Sequence, residues 1–272
     1  MRIDVLTTFP EMFAAEPPAA LGVSIPARAR AAGIVEVVPT DIRAYAENKH
    51  AKTDDRPFGG GPGMVMMCQP IWDAVRGVEA SDPRPAHRVL LTPQGRPLTQ
   101  AMVERLAGLP RLLVLAGHYE GIDERVIEAL APEEISIGDY VLSGGELAAM
   151  VLIDAVVRLL PGALGDQESA LAESFSTVAG AGDSPHARLL DCPHFTRPRV
   201  WQGREAPEIL VSGDHAKVAR WRLEQRLART RDRRPDLLPN DPQPDPQPDP
   251  QANPAEPACQ PPGRVDSPGT GS

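Results

Sequence analysis

The sequence is poor in cysteine, and the three it has, Cys68, Cys192 and Cys259, are scattered, odd in number and free of CxxC spacing. A disulfide scaffold and a structural zinc site are therefore not expected. Histidine adds little: His194 follows Cys192 by two residues, while His50 and His215 stand alone. No third ligand lies at metal-binding spacing, so no metal centre is expected. Long apolar runs are missing as well. The amino terminus, MRIDVLTTFPEMF, lacks the continuous apolar stretch of a secretory leader, and the longest apolar region, Leu147 to Leu164, is broken by Asp154 and Arg158. A charge at the centre of a bilayer costs roughly 2.5–3.5 kcal/mol, which disfavours a span there. The expectation is a soluble, cytoplasmic protein without a membrane partner. Neither G-x-G-x-x-G after a strand nor G-x-x-x-x-G-K-[ST] occurs, which argues against a dinucleotide or nucleoside triphosphate held in a phosphate cradle. Internal repeats are also lacking.

What is present is, for most of the chain, an ordinary globular composition. With 42% hydrophobic and 24% charged residues over 272 positions, there is enough for one large or two small domains. Proline is the outlier, with 31 residues, eleven of them in the last 34. Residues 239–272, which include DPQPDPQPDPQANPAEP, hold almost nothing that could be buried, so this tail is expected to be disordered and outside the fold. It carries five carboxylates against Arg264 alone, so the formal net charge of −9 overstates the acidity of the rest. A nucleic-acid partner then depends on a local basic patch. Such a patch exists: from Lys217 to Arg234, eight Lys or Arg residues are set against Glu224 and Asp232 only.

Short aliphatic runs alternate with helix-length amphipathic segments as far as about residue 160. Ile3–Phe9, Val35–Val38, Arg88–Leu91, Leu112–Ala116 and Glu134–Ile137 read as strands. Helices are expected in the twenties and over Pro70–Val78, Thr99–Leu106, Arg125–Leu130 and Glu146–Leu160. This order predicts the α/β class, with a mostly parallel sheet and helices on both faces. Thr99 as cap, Leu98 stapling onto Val103, and Gly108 after the last turn delimit one helix. The Glu146–Leu160 helix is apolar on nearly every face and is expected to be buried all round, in the sheet packing or against another subunit. The resulting division is an α/β domain over residues 1–163, a flexible linker over 164–187, a small helical domain over 188–238 and the tail.

Three glycine-bearing loops each follow an expected strand: TPQG (Thr92 to Gly95), AGHYEG (Ala116 to Gly121) and GDYVLSGG (Gly138 to Gly145). In an open α/β sheet a ligand lies beyond the carboxyl ends of the strands, so these loops should converge on one crevice. Glycine there lets main-chain groups approach the ligand closely. A fourth segment, DDRPFGGGPGM (Asp54 to Met64), reads either as an ordered loop reaching toward a substrate or as a solvated hairpin turn.

These segments, followed by LLPGALG, LLDCPHFTRP and SGDHAKVARWRLEQRLART, resemble in content and order the bacterial tRNA (guanine-37-N1)-methyltransferases, over about residues 1–238. The resemblance implies a SPOUT-class fold with a deep trefoil knot and a small helical C-terminal domain. It further implies S-adenosyl-L-methionine as methyl donor, tRNA with guanine at position 37 as substrate, and a homodimer with active sites at the subunit interface. Carried over residue by residue, the donor pocket comprises Leu91, Thr92, Pro93 and Gly95, then Gly117, Tyr119 and Gly121, then Ile137, Gly138, Tyr140, Leu142, Gly144 and Gly145. Glu120 and Arg158 match active-site residues, and Asp54 matches one near the target guanine. The family's usual aspartate base falls at Glu173 here, and Asp191 matches a further active-site residue. Glu173 is taken as the base, with Asp191 as its support or substitute. The family's link to Mg2+ would make Glu120 the nearby carboxylate expected to serve such an ion, if one is used. Lys217, Arg220, Arg226, Arg229 and Arg233 would meet the tRNA backbone. Two departures stand out: His118 occupies a position where arginine is commoner, and extra residues around Gly180 to His186 lengthen a linker that the family orders only when tRNA binds.

The chemistry accounts for these residue types. Guanine N1 carries a proton and is a poor nucleophile until a base removes it, and the charge then spreads onto O6. A carboxylate is wanted near N1 and an arginine near O6. Two rival readings are a SPOUT enzyme aimed at another RNA atom, such as a ribose 2′-hydroxyl, and a non-catalytic RNA-binding module that keeps the donor pocket.

Overall fold

The computed structural model describes residues 1–15, 19–165, 173–177 and 188–238. Five strands form the main sheet: β1 (Arg2–Thr7), β2 (Glu36–Asp41), β5 (His87–Pro97), β6 (Arg111–Ala116) and β8 (Glu133–Ser136). Their spatial order is β2-β1-β6-β5-β8, and every pairing is parallel. Along each strand the side chains alternate between two cores, as the pleat requires. Ile3, Val5, Leu112, Val114, Val89 and Leu91 pack with α1 (Ser24–Ala31), α3 (Gln100–Ala107) and α5 (Glu146–Val157). Leu6, Leu113, Leu115 and Leu90 pack on the other face with α2 (Cys68–Ala80) and α4 (Glu124–Leu130). The expected α/β arrangement, with helices on both faces, is thus present. One polar pair breaks the alternation. Asp4 accepts from Nε of the equally buried Arg111 at 2.7 Å, and the remaining Arg111 nitrogens donate to the carbonyls of Val78, Asp82 and Arg84. A hydrogen-bond acceptor for every one of its three nitrogens is what makes such a buried charge tolerable.

Helix α3 starts as expected, with Thr99 Oγ1 accepting from the Met102 N–H at 3.3 Å. Gly108 follows it, but with right-handed angles (φ −78°, ψ −6°) rather than in a left-handed cap. Helix α5 ends at Val157, earlier than expected, and in the single chain Leu147 and Val151, one turn apart, are 53% and 49% exposed, so the sheet packing alone does not bury it and contact with another subunit is the alternative left. Only one of its apolar stripes is needed by the sheet.

The Asp54–Met64 segment is a hairpin. Strands β3 (Asp54–Asp55) and β4 (Val65–Met66) pair antiparallel, and β4 also pairs in parallel with β7 (Gly121–Ile122). Most of the linker expected over 164–187, and the whole tail over 239–272, lie outside the described residues. The described piece, Glu173 to Thr177, is held by pairing of β9 (Ser176–Thr177) with β10 (Arg188–Leu189). Beyond it come a hairpin of β11 (Val200–Trp201) and β12 (Arg204–Glu205) and the long helix α6 (His215–Arg233), capped by Asp214 through the Lys217 N–H. Leu223, Leu227 and Leu238 pack around the buried Leu189. Among the described residues no helix is long and apolar enough to cross a membrane.

Candidate active site

Strands β6, β5 and β8 are neighbours, so the loops at their carboxyl ends meet, and together they line a cleft of about 310 Å³. The first of them is an excursion within β5. Residues 92–95 leave the strand between Leu91 and Arg96, both of which stand opposite Ile135. Gly95 itself does not line the cleft. A Cβ there would overlap the Ile135 backbone nitrogen and come within 2.5 Å of the Glu134 carbonyl carbon, so its role is to let β5 close against β8. The second loop turns through Tyr119 (φ +65°) and Gly121 (φ +152°), and the third begins at Gly138 (φ +149°). Those two loops are stitched together: Gly145 N–H donates to Gly117 O at 2.6 Å, and His118 bridges to Gly144. A Cβ on Gly145 would lie 3.0 Å from Ala116 Cα and Gly117 N. The other twelve positions assigned to the donor pocket all line this cleft.

Behind the stitch sits Glu146, buried at the start of α5. It accepts from Thr7 Oγ1 at 2.9 Å through one oxygen, and its other oxygen lies 3.4 Å from His118 Nδ1. His118 therefore faces a carboxylate of its own chain. Thr7 and Glu146 are 139 positions apart, and no local sequence signal could have joined them.

The hairpin is fastened to the cleft mouth. Glu120 N–H donates to Met64 O at 3.0 Å, Asp123 N–H donates to Met66 O at 3.0 Å, and a Cβ on Gly63 would overlap the Glu120 side chain. Asp54, half-buried in β3, lies opposite Met66. Hairpin and second loop thus form one unit.

A second, more open pocket of about 1120 Å³ brings together Arg158, Glu173 and Asp191, with Gln100, Glu104 and Phe175 around them. No described residue lines both pockets. Arg158, at the carboxyl end of α5, donates from Nη2 to both carboxylate oxygens of Glu173, at 2.6 and 2.8 Å. Burial opposes ionisation of Asp191, but His194 Nε2 at 2.8 Å and the Cys192 N–H at 2.7 Å outweigh it and hold its carboxyl below the usual range. Burial pushes the neighbouring Cys192 thiol up, with Asp191 adding to the effect. Donor atoms of Asp191, Cys192 and His194 lie within 4.8 Å of one another. Asp191 is thus a third donor that the spacing argument had overlooked, which corrects the premise of that argument but not the expectation that no metal centre forms here. A thiol that resists ionisation is nonetheless a poor start for a metal centre.

Of the five cations assigned to RNA, Lys217, Arg220 and Arg233 are exposed on α6. Arg226 turns inward, donating to Leu190 O, Glu173 O and Ser176 Oγ at 3.2, 3.2 and 2.9 Å, and Arg229 donates to Asp191 O at 3.3 Å. These two arginines tie the helix to the segments that carry Glu173 and Asp191. The charge run showed its sign, but helix phase decides which side chains reach solvent.

Fold and site define an α/β protein with a cleft lined by glycine-rich loops, followed in the chain by a basic helical unit. The sequence profile of the family described as tRNA (Guanine-1)-methyltransferase TrmD matches residues 1–240. Relatives named tRNA (guanine-N(1)-)-methyltransferase are similar over nearly the same span. The one from Chloroflexus aurantiacus is 53% identical over 238 residues, covering 88% of this chain and 88% of the relative. That from Halorhodospira halophila is 54% identical over 237 residues (87% and 84%), and that from Stenotrophomonas maltophilia R551-3 is 51% identical over 238 (88% and 90%). The chain belongs to the tRNA (guanine-1)-methyltransferase family, whose activity implies S-adenosyl-L-methionine as donor.

Proposed function

We propose that the protein transfers the methyl group of S-adenosyl-L-methionine to N1 of guanine 37 in tRNA. The observation that carries this reading is the Arg158–Glu173 pair, a guanidinium and a carboxylate side by side in an open pocket. N1–H and O6 are adjacent on the edge of guanine. Glu173 takes the proton from N1, while Arg158, always charged, offers donors to O6 as negative charge gathers there. In the free chain each group keeps the other company, and the incoming guanine edge replaces that contact. Asp191, held ionised, supports Glu173, and Asp54 stands near the guanine on the hairpin side.

The cleft suits the donor. Among the described residues no lysine or arginine lines it, whereas Glu120 and Glu124 do, a lining that favours a cation over a phosphate. Leu91, Ile137 and Leu142 supply apolar surface, and the glycines expose main-chain groups for the polar parts of the molecule. Once bound, it supplies an electrophilic methyl group on a sulfonium. Of the two carboxylates that line the cleft, Glu120, at its mouth, is the one assigned to Mg2+, an ion commonly held by one or two carboxylates and several waters.

Because cleft and pocket share no residues, we infer a homodimer in which the cleft of one subunit meets the Glu173 pocket of the other. The exposed stripe of Leu147 and Val151 on α5, close in sequence to the exposed Tyr140 and Val141, supports that contact. A site of action in the cytoplasm follows from the substrate.

Labelled S-adenosyl-L-methionine, incubated with paired transcripts carrying guanine or adenine at position 37, tests the reading. Label on the guanine transcript alone is expected. Label on both would indicate another target atom, and label on neither a binding module. Charge reversal at Arg220 and Arg233 should weaken tRNA binding and flatten the log K against log salt slope by roughly 1.4–1.8, with donor affinity intact. Equal loss of donor binding would show that the two residues act structurally.

A further inference from the structure

We propose that Phe58 is a base-stacking residue: its ring lies against a nucleobase of the anticodon loop and sets how the RNA is presented to the cleft. The inference rests on the tRNA methyltransferase reading and adds to it a contact with a base.

Phe58 is 96% exposed, more than any other exposed large hydrophobic side chain among the described residues. An aromatic ring left in water forfeits the burial free energy of a large apolar side chain. Its setting is built. Residues 53 and 67 close the hairpin through Met67 N–H to Thr53 O at 2.8 Å, Asp54 and Asp55 pair with Met66 and Val65, and Asp55 accepts from the Arg56 N–H at 2.8 Å and from Lys52 Nζ at 3.2 Å. At the tip, Pro57 O accepts from the Gly60 N–H at 3.2 Å. Gly59, Gly60, Gly61 and Gly63 all have positive φ, from +77° to +115°, a backbone that other residues reproduce only with strain. The tip therefore has a specified shape that leaves the ring outside, and its base is bound to Glu120 at the cleft mouth through Met64 and Gly63.

An exposed ring on a hairpin that also carries Lys52 and Arg56, on a support fixed to the reaction cleft, has the makings of a platform for an unstacked base. RNA loops are recognised in this way, by aromatic faces supplemented by cations. The chief rival is an apolar seat on the partner subunit. Shape discriminates between them: a base needs a flat face, whereas an apolar seat accepts a branched aliphatic side chain of similar bulk.

The test uses the full-length protein with Phe58→Ala, Phe58→Leu, Phe58→Tyr and Phe58→Trp, and guanine-37 transcripts. Ala and Leu should each lower kcat/KM for tRNA by about 5- to 150-fold, the range for losing one stacked base, whereas Tyr and Trp should stay close to wild type. Donor affinity and sedimentation of the dimer should not change. A transcript with 2-aminopurine at position 36 or 38 should be quenched by the wild type and by Tyr and Trp, but not by Ala or Leu. Full activity in Ala or Leu, or dissociation of the dimer in Ala, would overturn the proposal. A wild-type enzyme that fails to label guanine would instead overturn the reading on which it rests.

Discussion

Glu173→Gln is expected to slow methyl transfer by about 10²- to 10⁴-fold at neutral pH, the usual contribution of a positioned general base. The substitution keeps the length of the side chain and one of the oxygens that accept from Arg158, so tRNA and donor affinities should hold while kcat falls. The pH profile carries the diagnosis. Guanine N1 ionises above neutrality, so in the variant the reactive anion must come from solvent, and the rate should climb about tenfold per pH unit below that pKa. The deficit therefore narrows as pH rises. Single-turnover rates between pH 6.5 and 9 would show it, and Glu173→Asp should recover part of the loss. A parallel, pH-independent deficit would make Glu173 a partner of Arg158 and shift the base to Asp191.

Gly95→Ala should damage the fold and the donor site together. The added Cβ meets the main chain of Ile135 and Glu134, which cannot rotate aside as a flexible side chain would. Overpacking of this kind costs about 1–3 kcal/mol, roughly 2–12 °C in Tm for a chain of this size. Ile135, Ser136 and Ile137 all line the cleft, so donor affinity should fall in parallel. Gly108→Ala is the control: its Cβ meets Arg105 O at 3.4 Å, an ordinary contact, with right-handed backbone angles. It should change stability by less than about 0.5 kcal/mol. Equal Tm values for the two variants would remove the packing role assigned to Gly95.

The strands and helices of the main sheet were legible because each runs long enough to show its period, and β6, buried along its whole length, is a continuous aliphatic run from Leu112 to Ala116. The three loops could be found because they carry glycine after such runs. Gly95 has a strand-packing role that was not legible, because sequence cannot distinguish a glycine that admits a ligand from one that admits a neighbouring strand. Composition left the Asp54–Met64 segment open, since the strand that closes its hairpin, β4, is anchored on Gly121–Ile122, far away in the chain. The apolarity of α5 was read correctly, but hydropathy does not say which stripe the sheet will cover. Arg226 and Arg229 resembled their neighbours in the charge run, and only the phase of α6 against β10 turns them toward backbone carbonyls.

Calorimetric titration of S-adenosyl-L-methionine into the purified protein most directly tests the claim that the donor lies on the three loops, apart from the groups that activate guanine. The wild type and Glu173→Gln should bind it equally. Gly138→Val, whose side chain needs a strained φ of +149° and would overlap the Tyr140 ring, should not bind it. A wild type that does not bind the donor, with or without tRNA, or a Gly138→Val protein that binds it normally, would contradict the account.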